Sequence, residues 1–176
     1  MRSRYKSIEG GRPFFVSSTV IEWIPIFTSA TYNSVVADSL VFCREHKGLL
    51  LHAFVIMDTH IHLIITAPDI TAVMRDFKSY TGKRILELLH REKKTWILER
   101  LEFFKKSYKI ESVHQIWQEG FHPQVISSEE MLLQKADYLH HNPVRRGLVS
   151  SPEHWVYSSA SNYYLGSGLI EVDRIG

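Results

Sequence analysis

Two apolar runs in the middle of the chain constrain its fold more than any other feature. LLLHAFVIM and IHLIITAP are separated by only three residues, Asp58, Thr59 and His60. Short runs rich in branched apolar residues are typical of buried strands, and so short a connection indicates a hairpin or near-hairpin. The chain is therefore predicted to place two central strands of a sheet here.

The flanking segments predict the rest of the sheet and its helices. Residues 13–27 are rich in aromatic and β-branched side chains and predict a first strand that breaks at Pro25, whereas Pro123 indicates an edge strand within residues 114–126. Apolar residues at helical spacing predict helices at about 31–47, at 70–93, from 95 into a loop ending near 113, and at about 128–141. From Arg145 on, the chain is predicted to be irregular. This order is that of a small α+β sheet with helices packed on one face.

Composition limits the class of protein. A chain of 176 residues with 44% hydrophobic content can bury one core, which predicts a single domain over residues 1–176, with its core at about 12–150 and a tail at about 151–176. The net charge of +2 is nearly balanced, so a phosphate-binding surface would have to be a local patch. The single cysteine, Cys43, is expected in the core. No segment resembles a signal peptide or a membrane span, which predicts a soluble, cytoplasmic protein with no membrane partner.

His60 and His62 stand where the second strand of the hairpin begins. Side chains alternate along a strand, so both imidazoles point to one side while Ile61 and Leu63 point to the other. Two converging imidazoles can bind Mn, Zn, Fe, Co or Ni. For so short a motif, the alternative is equally open that one histidine is a core or turn residue and the other is exposed.

Two other classes of histidine enzyme fit the chain poorly. A barrel metal hydrolase needs about 200 residues after its first strand to close eight strand-helix units. Only 114 residues follow His62, and the pattern is a hairpin instead. A histidine-triad hydrolase would need a third histidine where this chain has Ile64.

The segment KADYLHHNPVRRGLV supplies further candidate site residues. Tyr138 and Asn142 are four residues apart on the last predicted helix and therefore share a face. A metal held by the histidine pair and the Asn142 amide oxygen would lie beside the Tyr138 hydroxyl. Attack by that hydroxyl needs the metal or basic side chains to favour the phenolate, since tyrosine has an ordinary pKa of about 10. The structural alternatives are a tyrosine that buries its ring and an asparagine that caps the helix.

Five stretches of the chain resemble the REP-associated tyrosine transposases, which are IS200-like members of the HUH group of single-strand DNA transposases. They are MDTHIHLIIT, MRDFKSYTGKRI, IWQEGFHPQVI, YLHHNPVRRGLV and EHWVYSSASNY. Together they span roughly residues 50 to 165 in the family's order, and the fourth is the most specific.

The resemblance implies a ferredoxin-like (RRM-like) antiparallel α+β sheet and an enzyme that cuts and rejoins single-stranded hairpin DNA through a 5′-phosphotyrosine. It implies that His60 and His62 bind a divalent metal (Mg or Mn) with Asn142 as third ligand, and that Tyr138 is the nucleophile. No nucleotide cofactor is implied, and the protein would be a monomer, as in the REP-associated branch, or a homodimer, as in insertion-sequence relatives. Family members commonly have Asn or Asp where this chain has Thr59, which leaves open what contacts the first histidine.

Several residues are candidates for contacts with DNA, although such charges are more often a solvated helix face. The candidate phosphate contacts are Arg75, Lys78, Lys83, Arg84, Arg145 and Arg146. Trp117 and Phe121 could stack on an unpaired base or belong to the core. His140, His141 and Gln124 are left without a role. Two rival functions are a hairpin-DNA-binding protein that does not cut and a metal phosphoesterase that uses water.

Overall fold

Four antiparallel strands form the sheet in this computed structural model, which describes residues 11–105 and 114–174. The strands are Phe14–Thr19 (β1), Leu50–Ile56 (β2), His60–Thr66 (β3) and Gln124–Val125 (β4), in the order β2-β3-β1-β4. The predicted hairpin is confirmed as β2 and β3. The edge strand is confirmed but is only two residues long. The predicted first strand ends early, because Ile21–Trp23 forms a 3-10 helix.

The four predicted helices begin close to where the sequence predicts, and two short helices after residue 140 were not predicted. They are Ala30–His46 (α1), Ile70–Arg91 (α2), Thr95–Phe104 (α3), Glu129–His140 (α4), Asn142–Arg145 (α5) and Ala160–Leu165 (α6). The Ser128 hydroxyl accepts a hydrogen bond from the backbone N–H of Met131, as an N-cap should. The loop predicted after α3 lies at 106–113, outside the described residues, as do residues 1–10. Cys43 is buried in the core, as predicted.

Helices cover both faces of the sheet, so the expectation of helices on one face is wrong. Ile61, Leu63 and Ile65 pack in the main core with α1 and α2. Ile64, on the opposite face, packs in a second cluster with Leu132 and Leu139 of α4. A strand that is apolar on both faces requires cover on both, and β2 is buried along nearly its whole length. The α+β antiparallel fold class itself is confirmed.

The C-terminal segment is built into the sheet. The backbone N–H of Ile56 donates to the Tyr157 carbonyl at 2.8 Å, and that of Ser159 donates to the Phe54 carbonyl at 2.9 Å. The prediction of irregular chain after Arg145 is wrong for α6, a helix too short to show a clear period. Among the described residues, no helix combines the length and hydrophobicity needed to cross a bilayer.

Candidate active site

The two histidines at the start of β3 lie side by side. Their ring centroids are 4.8 Å apart, and both side chains are buried on the face of the sheet that α4 covers. Strand alternation thus brings the imidazoles together as predicted. Phe15 of β1 stacks on His62 with ring centroids 5.3 Å apart and forms one wall of the site.

One nitrogen of each imidazole is held by a hydroxyl. His62 Nδ1 lies 2.7 Å from Ser17 Oγ on the facing strand, and His60 Nδ1 lies 2.9 Å from Thr59 Oγ1. Within residues 11–105 and 114–174, neither Nε2 forms a hydrogen bond. When Nδ1–H donates to the hydroxyl, Nε2 carries the lone pair that a metal ligand needs. Thr59 therefore supplies the contact to the first histidine that the sequence left open.

Burial keeps both imidazoles neutral. The pKa of His62 is lowered to about 3, first by burial and then by electrostatic interactions with His60, Arg145 and Lys135. The pKa of His60 is also lowered, first by burial and then by Arg146, while Asp58 acts in the opposite direction. Both rings are thus uncharged near neutral pH, which is the state that binds a metal.

Tyr138 lies beside this pair with its ring partly in solvent. It is 46% exposed, and its ring centroid is 5.7 Å from that of His62. The guanidinium of Arg145 lies over the Tyr138 ring at 4.5 Å and also donates to the Tyr138 backbone carbonyl. The hydroxyl bonds to no other described residue. A tyrosine whose role is only to fill a core would bury its ring more fully.

Asn142 lies between two residues that reach the histidine pair. It is buried at the start of α5, and its side-chain amide has no hydrogen-bond partner in the described part of the chain. Tyr138, one turn before it, contacts His62. Arg146, one turn after it, pairs with Asp58 at 3.5 Å, two residues from His60.

The donor atoms fit a divalent metal. No group of three or more His, Cys, Asp or Glu side chains able to hold an ion occurs in the described ranges. A third protein ligand would therefore be of another type, for which the candidate is the amide oxygen of Asn142, which has no hydrogen-bond partner among the described residues. Two imidazoles and one amide oxygen suit Mn²⁺ better than Mg²⁺, which prefers oxygen throughout.

The structure divides the predicted phosphate contacts into two groups. Arg145 and Arg146 lie at the site, the first over the Tyr138 ring at 4.5 Å and the second paired with Asp58 at 3.5 Å. Lys135, which the sequence analysis missed, joins them, with its ammonium 4.7 Å above the Phe15 ring. Its position three residues before Tyr138 on the same helix could have identified it.

The other group is on α2, which packs on the opposite face of the sheet. Arg75, Lys78 and Lys83 line a groove of about 810 Å³ between α2 and residues 114–121. Arg84 pairs with Glu87 at 2.9 Å. The α2 cations are therefore not neighbours of the histidine pair.

The residues left without a role have mostly structural contacts. His140 is buried, with Nε2 2.8 Å from Ser159 Oγ, and His141 pairs with Asp137 at 3.0 Å. Gln124 is exposed in β4. Its side chain makes no hydrogen bond to a described residue.

Of the aromatic residues considered for base stacking, Trp117 belongs to the core. It is buried, stacks on Phe27 at 5.6 Å and donates from Nε1 to Thr81. Phe121 is partly buried against the same core. The sequence analysis missed Trp23, which is exposed and whose ring is 5.7 Å from that of His60. No local pattern marked it, because it stood inside the predicted first strand.

Comparisons with known proteins identify relatives of this chain. The family model described as Transposase IS200 like matches residues 24–131, which include His60 and His62 but end before Tyr138 and Asn142. A Haemophilus influenzae protein named "Putative REP-associated tyrosine transposase" is 26% identical over 115 residues, or 65% of this chain. The match spans only 61% of that relative's length.

A solved structure shares the fold. It is described as a REP-associated tyrosine transposase bound to a REP hairpin, and it superposes with a TM-score of 0.63 at 20% identity. The match covers 100% of this chain and 92% of that one. At this identity the likeness establishes the ferredoxin-like arrangement of sheet and helices.

Proposed function

The chain belongs to the IS200-like transposase family, and from that premise we propose that it is a metal-dependent, single-tyrosine DNA transposase. It would cut and rejoin single-stranded hairpin DNA through a 5′-phosphotyrosine. One observation carries the proposal: the exposed Tyr138 ring lies 5.7 Å from the His62 ring, whose Nε2 has no partner among the described residues. The candidate nucleophile, open to solvent, thus lies beside a candidate metal ligand.

His60, His62 and Asn142 would hold the divalent cation, Mn²⁺ or Mg²⁺. When bound, such an ion would polarise the scissile phosphate and offset the charge that develops on its oxygens. The hydroxyls of Ser17 and Thr59 would keep each imidazole turned with Nε2 outward.

Tyr138 would attack the phosphorus in line with the bond that breaks. The Tyr138 hydroxyl loses its proton to water as the bond between the phenolic oxygen and phosphorus forms. The bond from phosphorus to the 3′-oxygen breaks, and that oxygen takes up a proton from water and leaves as a hydroxyl. Attack by another 3′-hydroxyl reverses the step and rejoins the strand. The phosphotyrosine conserves the bond energy, so no nucleotide cofactor is required. Arg145 would hold the ring in place from above.

The substrate would be single-stranded or hairpin DNA. The site is surrounded by positive charge suited to a phosphate backbone, from Arg145, Arg146 and Lys135. Tyr138 and His62 lie side by side within one chain, so a monomer would hold a complete site; a homodimer that exchanges α4 is the alternative. Such a substrate implies a cytoplasmic enzyme.

The test uses end-labelled hairpin DNAs from the sequence flanking the gene, with Mn²⁺ or Mg²⁺, on denaturing gels. We expect a labelled band that migrates with the protein and that disappears in Tyr138→Phe, in His62→Ala and with a chelator. Tyr164→Phe is the matched control, because Tyr164 is also exposed but lies on α6. It should keep the band.

Two results would favour the rival functions. If the DNA is cut without a protein-linked band, and Tyr138→Phe still cuts, the nucleophile is water and the protein is a metal phosphoesterase. If DNA is bound but never cut with either metal, the protein is a hairpin-recognition module.

A further inference from the structure

Trp23 is an exposed aromatic residue at the edge of the candidate site. Its side chain is 57% exposed, and its ring meets that of His60 edge to face with centroids 5.7 Å apart. Other aromatic side chains are equally exposed, but in the part of the chain that the structure describes Trp23 alone of the tryptophans contacts a candidate metal ligand. The ring is thus placed at the site and left open to solvent.

The backbone around Trp23 has a strained conformation. Glu22 and Trp23 have φ angles of 50° and 54°, in the left-handed region that residues with a Cβ seldom adopt. Such conformations persist only where the surrounding structure enforces them, and they concentrate at functional sites.

Two anchors enforce the turn. Ile21 and Ile24, on either side of the strained pair, are buried in the main core. The backbone N–H of Val20 donates to the Thr59 carbonyl at 2.8 Å, which ties the turn to the residue before His60. The turn and the histidine therefore move together, and the position of the Trp23 ring relative to His60 is determined by the fold.

Charge around the ring suits a nucleic acid strand. Arg146 pairs with Asp58 at 3.5 Å, two residues before His60, and Arg145 lies 4.5 Å over the Tyr138 ring beside His62. A backbone phosphate drawn to these cations would bring its bases to the exposed ring. Aromatic side chains beside a positive surface are the usual platform for unpaired bases, because every base has a face that stacks.

We propose that Trp23 stacks on an unpaired base next to the scissile phosphate and so positions that phosphate over His60 and His62. The inference rests on the proposed function, because it assumes that the strand passes over the histidines. It assigns to Trp23 the stacking role that the sequence suggested for Trp117 or Phe121.

The test is a scan of abasic sites in a fluorescein-labelled hairpin from the gene's flanking sequence, with single-stranded tails of about 16 nucleotides. Binding is measured in the Tyr138→Phe background, where no strand is cut. Trp23→Ala should weaken binding by about fivefold to about a hundredfold, and Trp23→Phe should restore most of the loss. In the Tyr138→Phe protein, which keeps Trp23, an abasic site at one tail position should weaken binding by a similar factor. In the double variant Tyr138→Phe, Trp23→Ala, the same abasic site should have no further effect.

Trp96→Ala is the matched control, since Trp96 is 60% exposed on α3 and makes no ring contact with a described site residue. It should leave both affinity and the abasic profile unchanged. If Trp23→Ala lowers the melting temperature, two measurements still test the stacking: the affinity of Trp23→Phe for the hairpin, and the dependence of binding on the position of the abasic site.

Three outcomes would contradict the inference in different ways. If Trp23→Ala binds normally while the hairpin is still cleaved by the otherwise native protein, stacking is wrong and the proposed function stands. If Trp23→Ala weakens binding equally at every abasic position, the ring makes no base-specific contact and the inference fails. If the native protein binds no hairpin at all, both proposals fail.

Discussion

Two buried histidines on the same face of the sheet, His52 and His62, use their ring nitrogens differently. Both ring nitrogens of His52 form hydrogen bonds: Nδ1 lies 2.6 Å from the Asp173 carbonyl and Nε2 lies 2.9 Å from Thr66 Oγ1. Among the described residues, His62 forms a hydrogen bond only through Nδ1, with Ser17. A buried polar atom normally has a partner inside the protein. The first histidine is therefore a structural residue, and the second keeps a nitrogen available for a ligand.

Burial and pKa alone do not separate the two kinds. The pKa values of His52, His62 and His140 are all lowered, with burial as the largest cause each time. What differs is where the second nitrogen points. Between His52 and His62, the hydrogen-bond partners of the ring, more than its depth, indicate which residue serves the fold and which the chemistry.

The largest expected effect is on strand transfer. His60→Ala should reduce the protein-linked DNA product by about a thousandfold or more, because the metal loses a ligand. His52→Ala, assayed well below its melting temperature, should keep most of the product. Quantified gels of both variants would test this. Equal losses in the two would mean that the histidines do not differ in function.

The next largest effect is on stability, and here the affected residue is His52. His52→Ala should lower the free energy of unfolding by about 2–4 kcal/mol, because a carbonyl and a hydroxyl lose their partner and a cavity forms. His154→Ala, at an exposed position, should change it by less than about 0.5 kcal/mol. Urea unfolding monitored by circular dichroism measures both. A small loss in His52→Ala would show that its two hydrogen bonds contribute little.

Metal binding should stabilise the fold only through the site histidines. Mn²⁺ at about one hundred times its dissociation constant should stabilise the native state by about 2.7 kcal/mol and raise the melting temperature accordingly. The rise should vanish in His60→Ala and persist in His52→Ala. Thermal unfolding with and without Mn²⁺ gives the answer. A rise that survives in His60→Ala would place the metal elsewhere.

The smallest effect is on the pH dependence of stability. The pKa of His52 is lowered from 6.5 by burial, which the contacts with Asp173 only partly offset. The unfolded chain therefore binds the proton first, so this contribution is complete above about pH 6.5 and declines as the pH falls below it. His62 and His140 add to the same slope.

Replacing His52 should remove one part of that slope. In His52→Gln, the change of unfolding free energy per pH unit between about pH 7 and pH 5 should be smaller by at most about 1.4 kcal/mol. Urea unfolding at several pH values measures it. An unchanged slope would mean that His52 titrates alike in both states.

Local patterns were enough for much of the fold and part of the site. The hairpin follows from two apolar runs, and α4 from Ser128 and the acidic residues after it. The site residues His60 and His62 could be chosen because strand alternation puts them on one face, and Tyr138 because a helix brings it within a turn of Asn142. These are short-range regularities, which a sequence displays directly.

Long-range contacts decided the rest. Whether α4 would cover the second face depended on packing against β2, some eighty residues earlier in the chain, and the C-terminal segment pairs with that same strand. Trp23 was missed because its turn is held in part by a distant residue, Thr59, in the connection between β2 and β3.

By itself the sequence determined most strands and helices up to residue 140 and the kinds of side chain at the site, because periodicity and spacing act within a few residues. Only the tertiary structure decided which nitrogen of His62 remains available, because the hydroxyl that engages the other belongs to Ser17, 45 residues away. A side chain's chemistry depends on its partners, and those partners are brought together by folding.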